Sequence, residues 1–148
     1  MSESLRIRIG IIASQEEIIT LKHLLPEVEW YCYEDLEQIL KYGKSDKIEI
    51  IIIDSKKIGK SKKVRIRGNL VILEEDGELN LLELVCRFFP IIIFIESDAI
   101  IPMWVKMRNL SVIRKPVNVE ILEKTIHVIR LKRLFQEVAA TYASSFNG

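Results

Sequence analysis

Glycine is missing from the place where a nucleotide or flavin enzyme would need it: Ala13-Ser14-Gln15-Glu16-Glu17, the stretch after the first apolar segment, contains none. A loop that wraps backbone N–H groups around a phosphate turns on glycine, so enzymes of that kind are disfavoured. Cysteine is scarce as well. Cys32 and Cys86 match no metal or redox spacing, and both are expected to be ordinary core residues of a reduced, cytoplasmic protein. His23 and His127 have no second ligand at metal-binding spacing, and no serine or cysteine stands in a nucleophile motif. The expectation is a protein that is not an enzyme and holds no cofactor or metal.

Long apolar runs are absent too. No stretch reaches the roughly 18 consecutive apolar residues of a membrane span, and the first apolar segment carries Arg6 and Arg8 without the architecture of an export signal. Neither sign of charge dominates. Basic residues number 22 against 21 acidic ones, a net charge of +1, which argues against a generally basic nucleic-acid binder. What remains is a chain of 148 residues, 49% hydrophobic, long enough for one domain with a substantial core and too short for two.

The chain is organised around Ile48-Glu49-Ile50-Ile51-Ile52-Ile53-Asp54. A near-continuous apolar run ending in one carboxylate reads as a strand buried on both faces, with its last residue at the sheet's carboxyl edge. Open α/β sheets place their chemistry at that edge. Pro90-Ile91-Ile92-Ile93-Phe94-Ile95-Glu96 repeats the design, and Leu110 to Arg114 is a further strand that delivers Lys115-Pro116. Before them, Leu5 to Ala13 reads as a first strand. Ser14 and Glu17 form a capping box for a helix with Ile18, Leu21, Leu24 and Leu25 inward. Val28 to Tyr33 reads as an outer strand, and Glu34-Asp35 give the acidic first turn of a helix carrying Leu36, Ile39 and Leu40.

This alternation of strand and helix predicts a flavodoxin-like α/β domain: a parallel five-stranded sheet, order 2-1-3-4-5, with helices on both faces. Between the third strand and the next helix, Val64-Arg65-Ile66-Arg67 and Leu70-Val71-Ile72-Leu73 flank Gly68-Asn69, the signature of an inserted β-hairpin at about residues 62–75. A third helix carries Leu79, Leu82, Val85, Cys86 and Phe89. Ser97-Asp98 can cap a helix, but Pro102 would interrupt one begun there, so the fourth helix is short and covers about 102–107. The last helix starts after Asn118 and outruns the sheet, so the domain occupies 1–138 and residues 139–148 form a helix extension or tail.

Five β/α units with Asp54 ending the third strand and Lys115-Pro116 ending the fifth resemble the receiver domain of two-component response regulators, over roughly residues 5–134. The resemblance implies a signalling domain in which Asp54 matches the phospho-acceptor and Lys115, joined to Pro116 by a cis peptide bond, matches the phosphate-contacting lysine. Other parts depart from the pattern. The acidic pair that helps receivers hold Mg²⁺ falls on Ala13-Ser14, which offers no carboxylate. The switch hydroxyl falls on Ile95, or on Ser97 after a slip of two residues, and the switch aromatic falls on Val112. These departures point to a pseudo-receiver, a regulatory protein-interaction domain outside the usual Mg²⁺-dependent phosphorylation. The alternative is an atypical phospho-accepting receiver that uses Asp54 and Mg²⁺; on either reading the expected partner is a signalling protein, a histidine kinase or a downstream regulator.

Three surfaces compete for the interaction. Lys56, Lys57, Lys60, Lys62, Lys63, Arg65 and Arg67 form a run without an acid, readable as a nucleic-acid patch or as a solvated loop balanced by Glu74, Glu75, Asp76 and Glu78. Met103, Trp104 and Met107 are large adaptable groups in the short fourth helix, suited to docking or to burial against the sheet. On the last helix Leu122, Ile126 and Ile129 face the sheet. Val128, Leu131, Phe135, Val138 and Tyr142 recur at spacings of three and four, as the seam of a homodimer would.

Overall fold

Isoleucine builds the sheet. The computed structural model describes residues 6–58, 63–67, 70–73, 79–99 and 110–147, and they divide into two compact units, Met1–Pro116 and Val117–Gly148. In the first unit, β1 (Arg8–Ile12), β2 (Glu29–Cys32), β3 (Ile50–Asp54), β7 (Ile91–Ile95) and β8 (Leu110–Arg114) form one parallel sheet in the order β2-β1-β3-β7-β8. This is the 2-1-3-4-5 order expected. All five residues of β3 and all five of β7 are buried. Successive side chains of a strand point to opposite faces, so burial of every one requires cover on both sides of the sheet. Its register places Asp54 beside Phe94 and Ile95 beside Arg114, which brings the ends of β3, β7 and β8 to one edge.

Three helices lie between the strands of this unit: α1 (Gln15–Leu24), α2 (Leu36–Tyr42) and α3 (Leu81–Phe88). Each start is capped by a polar side chain that accepts a free helix N–H: Ser14 from Glu17, Asp35 from Gln38 and Asn80 from Leu82. One face of the sheet, through Ile51, Ile53, Ile91, Ile93 and Ile95, packs with Leu36 and Ile39 of α2 and Leu82 and Val85 of α3. Gly43 ends α2 where a Cβ would come within 2.8 Å of the Phe89 ring; glycine lets the two helix ends close there.

Three local expectations are corrected. Leu24 is 45% exposed, because Ile18, Leu21 and Leu25 already fill the inward stripe of α1. Leu79 belongs to β6 (Leu79–Asn80), not to α3. Together with β4 (Lys63–Arg67) and β5 (Leu70–Leu73) it makes a second, antiparallel sheet of order β5-β4-β6. Ser97 and Asp98 lie in a turn, in line with the expectation that no helix begins there. Cys32 is exposed while Cys86 is buried, since β2 is the edge strand and Cys32 its last residue. The hairpin turn at Gly68-Asn69, the acidic turn from Glu74 to Glu78, Lys60 and Lys62, and the short helix with Pro102, Met103, Trp104 and Met107 lie outside the described residues.

The second unit holds one helix, α4 (Val119–Asn147), 29 residues long. Asn118 caps it, its Oδ1 accepting from the N–H of Glu120 at 2.8 Å and of Ile121 at 3.2 Å. Leu122 and Ile126 are buried, whereas every residue from 130 to 143 is exposed. Among the described residues no helix is long and apolar enough to cross a membrane.

Candidate functional site

Asp54 is the one buried charged residue among those described, 2% exposed at the end of β3. A lone carboxylate there would be unstable without compensation, and the neighbouring elements supply it. The backbone N–H of Lys56, in the 3₁₀ turn Ser55–Lys57, donates to Oδ1 at 3.0 Å. Lys115 follows β8, and its ammonium donates to Oδ2 at 2.7 Å. Its own N–H donates to Ile95 O at 2.8 Å, which continues the β7–β8 ladder one residue further and holds the lysine at the edge. The Lys115–Pro116 peptide bond is cis.

The Lys115 ammonium is shared. It also donates to Glu17 Oε1 at 3.3 Å and to Glu96 Oε1 at 3.2 Å, so three carboxylates, from the ends of β3 and β7 and from the first turn of α1, converge on one cation. Glu96 is in turn paired with the exposed ammonium of Lys56 at 3.1 Å. Glu17 reaches the site because α1 starts immediately after β1: the Ser14 hydroxyl accepts from the Glu17 N–H at 3.2 Å, which fixes the first turn and aims the glutamate along the edge.

The charges perturb one another. Partial burial raises the pKa of Glu17, helped by its hydrogen-bonded and repulsive proximity to Asp54 and opposed by Lys115. Burial pushes Asp54 upward also, but its hydrogen bonds with Glu17, Lys115 and the Lys56 N–H prevail and hold it below the usual carboxylate range. Hydrogen bonds from Lys56 and Lys115 lower Glu96. For Lys115, burial works against the ammonium, and its bonds to Asp54, Glu96 and Glu17 override that and raise its pKa. The arrangement is three carboxylates held by two ammonium groups, Lys115 and Lys56, and one backbone N–H, a connected ion cluster.

Arg114, one residue before, acts on the adjoining loop. Its Nη1 donates to three backbone oxygens in the turn after β7: Glu96 at 3.4 Å, Ser97 at 3.2 Å and Ala99 at 2.8 Å. The two positions weighed for a switch hydroxyl are thereby distinguished. Ile95 is buried in β7, and Ser97 is exposed in the turn that Arg114 holds.

Comparison with solved structures gives the fold a name. The chain resembles the signal receiver domain of a protein described as a Luxo repressor from Vibrio parahaemolyticus, with TM-score 0.58 and 13% identity over 90% of this chain and 97% of that one. A response regulator receiver domain from Clostridium thermocellum gives TM-score 0.57 and 20% identity over 87% and 98% of the two chains. NtrX from Brucella abortus, in complex with ADP, gives TM-score 0.59 and 14% identity; the match covers 90% of this chain and 29% of that one. The protein therefore has the receiver fold. No protein-family model and no curated protein sequence matches it.

The receiver fold implies a Mg²⁺ beside the acceptor aspartate, and the residues present do not fit one. After β1 stand Ala13, with no ligand atom, and Ser14, whose hydroxyl is occupied as a helix cap. Asp54 accepts from Lys115 through one oxygen and from Lys56 through the other. Among the described residues no group of three or more His, Cys, Asp or Glu side chains could hold a metal ion.

Of the residues singled out beforehand, Asp54 and Lys115 meet, Pro116 supplies the cis bond, and Val112 is half-buried in β8. Of the basic run, Lys56 is engaged by Glu96, Lys57 is exposed, and Lys63, Arg65 and Arg67 stand at alternate positions of β4. His23 and His127 are exposed on α1 and α4. Glu17 and Glu96 are the site residues that the strand-end pattern by itself did not assign. The signals for them were adjacency to β1 and to β7.

Proposed function

We infer that the domain is a signalling module of the two-component type that acts by binding proteins, as a homodimer and apart from Mg²⁺-dependent phosphorylation. The observation that carries this is the ion cluster. Lys115 lies 2.7 Å from Asp54, with Glu17 and Glu96 completing its coordination, and Ala13-Ser14, where the acidic pair of receivers falls, offers no carboxylate. Phosphoryl transfer to a carboxylate relies on positioning and on cationic neutralisation of the developing charge. Here an incoming phosphoryl dianion would meet two further carboxylates. The Arg114 bonds to the turn after β7 also favour a fixed surface over one that rearranges on phosphorylation.

A second reading, phospho-acceptance at Asp54, has one observation in its favour. Glu17 shares the Lys115 ammonium with Asp54 and could lend a cation the carboxylate that Ala13 and Ser14 lack. The two readings separate on incubation with acetyl phosphate and Mg²⁺ followed by intact-mass measurement. An unchanged mass is the expected result. A phosphoryl adduct released by base and by hydroxylamine, as an acyl phosphate is, and absent from Asp54→Asn would sink the first reading and establish the second.

A further inference from the structure

The 29-residue helix α4 changes character along its length. Up to Ile129 it has a buried stripe, with Leu122 and Ile126 inside. From residue 130 to residue 143 every position is exposed, so packing among the described residues buries none of this part. An isolated helix of that length is marginal in water, because helix stability in proteins comes mainly from packing an apolar face. Yet the segment is not polar. Leu131, Leu134, Phe135 and Val138 are between 40% and 71% exposed, and Val128 and Tyr142 at the two ends are exposed as well.

The spacing of these residues says what covers them. Val128, Leu131, Phe135, Val138 and Tyr142 follow the three-four alternation of a heptad's two core positions, a seam of about 21 Å at 1.5 Å per residue. A helix of that pattern is complementary to itself, since knobs from one copy enter holes on the other and the same residues are buried on both. Charge is sorted accordingly. Arg130, Arg133 and Glu137 fall at outer heptad positions, and Arg133 Nε pairs with Glu137 Oε1 at 3.8 Å one turn on. The positions flanking the seam are Lys132, Leu134, Ala139 and Thr141, so two copies bring only one like charge each near their contact. In a parallel pair Leu134 of one copy meets Ala139 of the other, which widens the apolar strip.

We propose that residues 128–142 of α4 form the self-association surface of this protein, a two-helix seam with Leu131, Phe135 and Val138 at its centre. The proposal rests on the interaction-module reading and names the surface and its occupant, a second copy of this chain. It also fails separately, since the phosphodonor result on Asp54 does not depend on oligomeric state.

Sedimentation equilibrium of the full chain at tens of micromolar tests it, with circular dichroism to confirm folding. The wild type is expected to be dimeric. Leu131→Glu with Phe135→Glu is expected to be monomeric, weakening association by at least a hundredfold, and Leu131→Ala with Phe135→Ala to shift it in the same direction more gently. The outer-face change Arg133→Glu is expected to leave the dimer intact. A monomeric wild type would assign the face to a different protein and overturn the proposal; so would a dimer that survives both seam variants, or one lost equally in Arg133→Glu.

Discussion

At the carboxyl edge of the sheet, the Lys115 ammonium lies within 3.3 Å of three carboxylates, and Asp54 is 2% exposed. Along the far half of α4, Phe135 is 71% exposed in a row of apolar side chains. The first region has its polar groups engaged with one another, three carboxylates sharing Lys115 and Lys56. The second leaves apolar area facing water, where each buried large side chain would contribute about 1.5–3 kcal/mol. In the receiver fold the strand edge is the place where chemistry is expected, yet the groups that would perform it are engaged with one another. The apolar side chains still open to water lie instead on the far half of α4, beyond its buried Leu122 and Ile126.

The largest expected effect comes from opening the matched cluster. Replacing Lys115 with Met leaves Asp54 buried beside Glu17 without a cation, and breaking a buried pair from one side costs about 3 kcal/mol. Urea unfolding should show that loss. In Asp54→Asn with Lys115→Met the two losses should fall short of their sum by about 2 kcal/mol, because the charge that made the first change costly is gone. Strict additivity would mean that the 2.7 Å contact contributes nothing to folding.

The pH dependence of stability sharpens the comparison further. The folded pKa of Asp54 is lowered from 3.8, so its ionised form stabilises the fold above that value, and the contribution is lost as pH falls from there through the folded pKa. Glu17 is raised from 4.5 and works the other way: its contribution is complete below that value and is lost as pH rises through its folded pKa. Asp54→Asn should therefore lose less stability than the wild type on acidification below about 4, and Glu17→Gln should flatten the profile just above about 4.5. Melting temperatures across that range measure both. Identical profiles for wild type and variants would contradict the coupling of the two carboxyls.

Much of the first region was legible before the fold was known, because its cues are local. An apolar run that stops at Asp54, and another followed by Lys115-Pro116, mark strand ends whatever surrounds them. Glu17 was harder. A glutamate three residues after Ser14 is accounted for by a helix cap, and only the parallel pairing of β1 with β3 brings its carboxylate to Lys115. The two-residue strand β6 was not legible at all, since Leu79 fits the apolar period of α3 and is claimed by β4 through long-range pairing. Cys32 failed for a similar reason: composition favours burial of cysteine, whereas being last on an edge strand decides its exposure. The stripe on α4 was readable from its period.

The smallest effect tests whether Ser14 serves the helix or the site. Its hydroxyl accepts from the Glu17 N–H at 3.2 Å, a bond that alanine cannot make, and loss of such a cap costs about 1 kcal/mol. Aspartate caps nearly as well as serine, so Ser14→Asp should cost only a few tenths of a kcal/mol as a cap. It also places a carboxylate beside β1, where the receiver pattern has one and this chain does not. If Mg²⁺ binding is absent for want of that acid, calorimetric titration should detect Mg²⁺ with Ser14→Asp and not with the wild type. If Lys115 itself excludes the cation, Ser14→Asp stays silent, and a response requires Lys115→Met in addition. Mg²⁺ binding by the wild type would reverse the comparison, making the strand edge the open site.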